Sequence, residues 1–180
     1  MTSFDLNFAA DHFTLFGLAP RQGIDAAELD ARFRDIQARV HPDKHAHAAE
    51  ADRRLAMQWA TRVNEAYQTL RNPLARARYL LALRGHDAQI ERNTAMPAAF
   101  LMAQMELREA VAEAKVDGSD TVLDQLRGTL VQEIRGEYGR LQTLIDDQQQ
   151  FEDATVLVRQ LMFQEKLLQD IDEALEAVLA

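Results

Sequence analysis

The chain has 180 residues, 47% of them hydrophobic, and a formal net charge of −9 at pH 7, which allows one large domain or two small ones with real cores. It has no cysteine, and this excludes disulfides, thiolate zinc sites, cysteine-ligated clusters and cysteine nucleophiles. The charge is uneven, with 13 Lys/Arg against 12 Asp/Glu in residues 1–97 but 7 against 17 in residues 98–180, and the acidic second half argues against nucleic acid.

No run reaches the ~18–20 apolar residues that a membrane span needs. The opening MTSFDLNFAADHF lacks basic residues and a long apolar core, so a signal or transit peptide of the usual kind is not expected. Residues 1–12 read as a loose lead-in. Phe13, Leu15, Phe16 and Leu18 form a short apolar knot before Pro20 and Gly23. Asp25-Ala26-Ala27-Glu28 reads as a capping box, with Asp25 accepting from the first free amides and Glu28 reaching back. Leu29, Phe33, Ile36 and Val40 stripe the helix behind it. The residue before a proline is pushed out of α geometry, so His41 closes this helix.

A second helix is expected to start near residues 46–49. Its stripe is Ala56, Trp59, Val63, Ala66 and Leu70, with Leu55 and Tyr67 at the margins. Two such helices joined by a short loop favour an antiparallel hairpin. Asn72-Pro73 ends the second and opens a third, which runs to about Arg84 and stops at Gly85-His86-Asp87. Residues 85–97 have weak periodicity and read as a linker. Helices follow at about 98–116, 120–147 and 152–179. Leu123, Leu126, Leu130, Ile134, Tyr138, Leu141 and Ile145 stripe the middle one. Ala154, Leu157, Leu161, Leu168, Ile171, Leu175 and Leu179 stripe the last. Gly128, Gly136 and Gly139 each cost roughly 1 kcal/mol relative to Ala, so packing must hold the middle helix, or it bends there. The expected fold is all-α, a helical hairpin domain followed by a C-terminal three-helix bundle.

The loop His41-Pro42-Asp43-Lys44 projects a small polar signature from the hairpin tip. As chemistry, His41 and Asp43 could form an acid–base pair, but no nucleophile is placed near them. As a metal site, His41, His45 and His47 with Glu50 could serve, although Pro42 breaks the helix between the first two. An ordinary turn is the bland alternative.

The surroundings of the loop resemble a J-domain, the module by which co-chaperones stimulate DnaK-type chaperone ATPases. The resemblance rests on His41-Pro42-Asp43, on Val63-Asn64-Glu65-Ala66-Tyr67-Gln68-Thr69-Leu70, and on Asn72-Pro73 with Ala75-Arg76-Ala77. Phe13-Thr14-Leu15-Phe16-Gly17-Leu18, Tyr79-Leu80-Leu81 and Phe100-Leu101-Met102-Ala103-Gln104-Met105-Glu106-Leu107-Arg108-Glu109 extend it over residues 11–180 to the HscB family, the J-type co-chaperones of iron–sulfur cluster assembly. The resemblance implies a J-domain at 11–84, a linker at 85–97 and a scaffold-binding bundle at 98–180. It implies that His41, Pro42, Asp43, Lys44, Arg32 and Arg39 meet an HscA-like chaperone of the DnaK type.

On a helix over 98–116, Phe100, Ala103, Leu107, Ala110, Val111 and Ala114 share the expected core face. Leu101, Met102 and Met105 fall off it, beside Glu106, Glu109 and Glu113, and Phe163 lies off the stripe of the last helix. An apolar patch rimmed by charge marks a partner site, with packing against the hairpin domain or a homodimer seam as the structural alternative. By the resemblance, these seven residues bind an IscU-like scaffold. Met105 stands where the family often has Leu, a volume-conserving exchange. The expectation is a non-enzymatic co-chaperone, without cofactor, in a bacterial cytoplasm. Two alternatives are a J-protein of a general chaperone with another client and a histidine-ligated metal protein.

Overall fold

The structure is a computed structural model and describes residues 7–41, 49–86 and 96–179. Among these residues every regular element is helical: α1 (His12–Leu15), α2 (Ala26–Val40), α3 (Glu50–Arg71), α4 (Pro73–Leu83), α5 (Ala98–Val116), α6 (Asp120–Gln142), a π-helical turn (Thr143–Asp147) and α7 (Phe151–Leu179). The chain divides into two compact units, Met1–Leu80 and Leu81–Ala180. Pro42, Asp43, Lys44, His45, His47 and most of the expected linker lie outside the described residues.

In the first unit, α2 and α3 pair antiparallel. Residues early in α2 meet residues late in α3. The rings of Phe33 and Tyr67 stack with centroids 4.0 Å apart, and the Tyr67 hydroxyl donates to Asp30 Oδ1 at 3.0 Å. Arg71 forms an ion pair with Asp30 and donates to the Tyr67 hydroxyl at 3.0 Å. Hydrogen bonding from Arg71, then from Tyr67, holds the Asp30 carboxyl below its usual range. Leu29, Ile36, Val40, Ala56, Trp59, Val63, Ala66 and Leu70 are buried, as the spacing predicts. Asn72 starts α4, its Oδ1 accepting from the Ala75 amide at 2.8 Å.

Half of the expected capping box forms. Asp25 Oδ1 accepts from the amides of Ala27 and Glu28 at 2.8 and 3.4 Å. Glu28 does not reach back. Its Oε1 accepts instead from Arg32 Nε at 3.1 Å and Nη2 at 2.7 Å. One helical turn away, Arg32 offers a stronger, charge-assisted partner than the backbone amide.

Residues 7–12 are not loose. Asp11 caps α1, accepting from the amides of Phe13 and Thr14 at 2.9 and 3.0 Å. The His12 amide donates to the Tyr79 hydroxyl at 3.0 Å, and the two rings stack at 4.2 Å. Arg62 Nη2 donates to the Ala10 carbonyl at 2.6 Å, and Phe8 lies 4.0 Å from Trp59. These partners come from α3 and α4, which a local sequence pattern cannot register.

In the second unit, α5, α6 and α7 form the expected bundle. Its core includes Val111, Leu123, Leu130, Ile134, Leu141, Leu157, Val158, Leu161, Leu167 and Ile171. The stripe of α7 is broader than expected: Val158, Leu167 and Ala174 are buried as well, while Leu168 and Leu175 are half-buried. A Cβ added at Gly128, Gly136 or Gly139 would meet nothing within 4 Å, so these glycines face open space. Side-chain links to α7 hold α6 across this stretch. Arg127 Nε donates to Asp172 Oδ1 at 2.6 Å, and the Tyr138 hydroxyl donates to Glu165.

Candidate functional site

The tip of the hairpin is reached through α2. Its fifteen residues end at Val40, and His41 follows with φ −59° and ψ 126°. This is the extended geometry that a following proline enforces. His41 and Arg39 are exposed, and Arg39 lies in the last turn of α2, where a cation complements the helix dipole. The structure therefore presents the first residue of the His-Pro-Asp triplet to solvent. Pro42, Asp43 and Lys44 fall outside the described residues, and so do His45 and His47 of the histidine cluster. Among the described residues no group of three or more His, Asp or Glu side chains could hold a metal ion.

Arg32 has a different setting from Arg39, although the two share one side of α2. Its Nη1 donates to the Phe16 carbonyl at 2.9 Å, and its other nitrogens bind Glu28. It ties the α1–α2 connection to α2, with its side chain still 42% exposed.

The bundle carries the second set of residues. Met102 and Met105 are each 62% exposed and Leu101 is 39% exposed. Glu106, Glu109 and Glu113 are exposed on the adjoining strip of α5. The spacing of α5 explains the arrangement. Phe100, Gln104, Leu107, Val111 and Ala114 alternate steps of four and three, which makes one seam. Leu101 and Met105 each follow a seam residue by one position, and Met102 lies farther round.

Two expectations change here. Ala103 is exposed, and Gln104 takes its place inside, only 7% exposed. The seam spacing was present in the sequence, but reading it by hydrophobicity passed over a glutamine. Phe163 is half-buried rather than fully displayed. It lies one turn before Lys166 on α7. The Lys166 ammonium is held above its ordinary value first by its hydrogen bond to Asp170, with Arg108 of α5 opposing. Helix α5 also packs on α7. On another side, Arg127 and Tyr138 of α6 meet Asp172 and Glu165. The arrangement offers a ridge of thioether and aliphatic groups beside carboxylates. It suits a partner with an apolar surface next to basic groups.

No helix among the described residues is long and apolar enough to cross a membrane. Residues 96–172 match the family model described as "HSCB C-terminal oligomerisation domain". The chain is 53% identical over 172 residues to the co-chaperone protein HscB homolog of Ralstonia nicotianae, covering 95% of this chain and 98% of that protein. Among solved structures it resembles the chaperone HscB from Vibrio cholerae, at 35% identity and a TM-score of 0.82, over 95% of this chain and 100% of that one. It also resembles the human co-chaperone protein HscB, at 25% identity and a TM-score of 0.86, over 92% of this chain and 82% of that one.

Proposed function

The chain belongs to the HscB family of co-chaperones, and from that premise we propose how its two units divide the work. Residues 11–84 act as the J-domain. His41, Pro42, Asp43, Lys44 and Arg39 engage the ATPase of an HscA-like chaperone, and Arg32 acts mainly by holding the α1–α2 connection. Residues 98–180 hold an IscU-like scaffold of iron–sulfur cluster assembly through Leu101, Met102, Met105, Glu106, Glu109, Glu113 and Phe163. The protein catalyses no reaction of its own, and it works in the bacterial cytoplasm.

The observation that carries this reading is the exposure of Leu101, Met102 and Met105 on a folded bundle beside Glu106, Glu109 and Glu113. Water-exposed thioether and aliphatic surface is costly to maintain and marks a docking surface. Fully burying such side chains yields about 1.5–3 kcal/mol each, and Leu101 and Phe163 are already partly covered. Association costs about 4–15 kcal/mol. The balance with polar contacts fits a complex near micromolar, suited to a handover. The glutamates steer a basic partner and make its association rate salt-dependent.

The test is the ATPase rate of an HscA-like chaperone with this protein and an IscU-like scaffold, separately and together. A combined rate above the sum of the separate effects is expected. Strict additivity overturns the delivery role, and stimulation by unfolded clients instead points to a general chaperone.

A further inference from the structure

Gln104 is more than nine-tenths buried, and its side-chain oxygen has no hydrogen-bond partner. Such an acceptor is unfavourable in a folded interior and is normally satisfied. Leucine at this position would complete the apolar seam of Phe100, Leu107 and Val111. The free protein therefore keeps a carboxamide whose oxygen makes no hydrogen bond within it. Gln104 lies at the border of the seam, on the side that leads to Leu101 and Met105, and Arg108 follows one turn later on the same side. The terminal torsion of a glutamine is soft, so its oxygen can turn toward that border.

We propose that Gln104 is a further recognition residue of the α5 patch: its carboxamide oxygen accepts a hydrogen bond from a donor of the bound scaffold, placed among the apolar contacts rather than on the carboxylate rim. The inference rests on the reading of this patch as the scaffold surface. The partner is one whose apolar contact surface carries an N–H donor, with basic groups around it to meet Glu106, Glu109 and Glu113. A donor paired inside a dry contact discriminates strongly, because a partner without it leaves the acceptor stranded. The bundle thus tells its client from other apolar surfaces, which Leu101, Met102 and Met105 alone do not.

Gln164 supplies an internal control. It is equally buried, with an unpartnered oxygen, but it lies on the inner face of α7 with Leu157, Leu161 and Leu168 around it on the helix. The experiment measures thermal unfolding of the full chain and affinity for an IscU-like scaffold in Gln104→Leu, Gln104→Met and Gln164→Leu. All three are expected to unfold at or above the wild-type temperature. Gln104→Leu and Gln104→Met are expected to bind the scaffold at least tenfold more weakly, and Gln164→Leu like wild type. If Gln104→Leu perturbs the fold, the slimmer Gln104→Met decides. Wild-type affinity in the Gln104 variants overturns the inference, and so does an equal loss in Gln164→Leu. A combined Leu101→Ala, Met102→Ala, Met105→Ala variant separates the two levels. If it binds the scaffold normally, the reading of the patch itself fails. If it loses binding while Gln104→Met does not, only the role of Gln104 fails.

Discussion

The Arg32 guanidinium fills the space that a side chain on Gly17 would need: Nη1 stands 2.7 Å from the position of a Cβ there. Gly17 also has φ +62°, the left-handed region that other residues adopt at a cost. Gly17→Ala must therefore strain the backbone and displace Arg32 from the Phe16 carbonyl. A loss of roughly 1–3 kcal/mol is expected, read as a lower midpoint in thermal or urea unfolding. Wild-type stability in this variant would show that Arg32 moves aside freely.

The same relationship separates two arginines that look equivalent in sequence. Arg32→Ala removes an internal tie and should lower stability more than it lowers chaperone stimulation. Arg39→Ala removes an exposed cation and should do the reverse, with a loss of stimulation that shrinks as salt is raised. Paired melts and ATPase titrations at low and high salt check both. Equal behaviour of the two variants would overturn the distinction.

At the tip, His41→Gln should reduce ATPase stimulation at least tenfold, equivalent to about 1.4 kcal/mol of coupling, while scaffold binding stays unchanged. Stimulation at the wild-type level removes the loop from the mechanism.

On the bundle, changing Leu101, Met102 and Phe163 together to Ala should weaken scaffold binding at least tenfold and leave stimulation by the isolated protein near normal. Phe163 is half-buried, so its replacement also removes packing. A melt of the single Phe163→Ala variant separates the two effects. Retained binding by the triple variant assigns these residues to packing alone.

His12 gives a pH dependence. Burial lowers the imidazole pKa below its ordinary 6.5, and the nearby Arg62 adds to this, against Asp11 and Glu65. The folded state thus binds the proton less well than the unfolded chain. Its contribution to stability is whole above about pH 6.5 and is lost as the pH falls through that value toward the folded pKa. Melts of wild type and His12→Phe at about pH 7.5 and about pH 5.5 test it. The variant keeps a ring to stack on Tyr79 and should lose less stability on acidification. Parallel losses would remove His12 as a cause.

Much of this was legible from periodicity and punctuation. Asp25 and Asn72-Pro73 mark helix ends where the structure has them, and the α3 stripe is buried, while Phe33 of the α2 stripe and Leu126 and Tyr138 of the α6 stripe are only half-buried. One cause of the misses is that partners distant in sequence decide local fate. That holds for residues 7–12, fixed by Tyr79, Arg62 and Trp59, whereas Glu28 turned to Arg32 within its own helix and Gln104 took a seam position that hydrophobicity alone does not mark. The patch on α5 was legible because its apolar residues break a helical period. Phe163 was less so, because it is half-buried in the folded bundle.

The three glycines of α6 bear on how the molecule is made. With no packing on their open side, they leave α6 a poor helix by itself, and its order draws on α7, which follows it in the chain. During synthesis the J-domain unit can mature while α6 is still waiting for α7. On the proposed division of work, a nascent chain can then call on a chaperone before its bundle is complete.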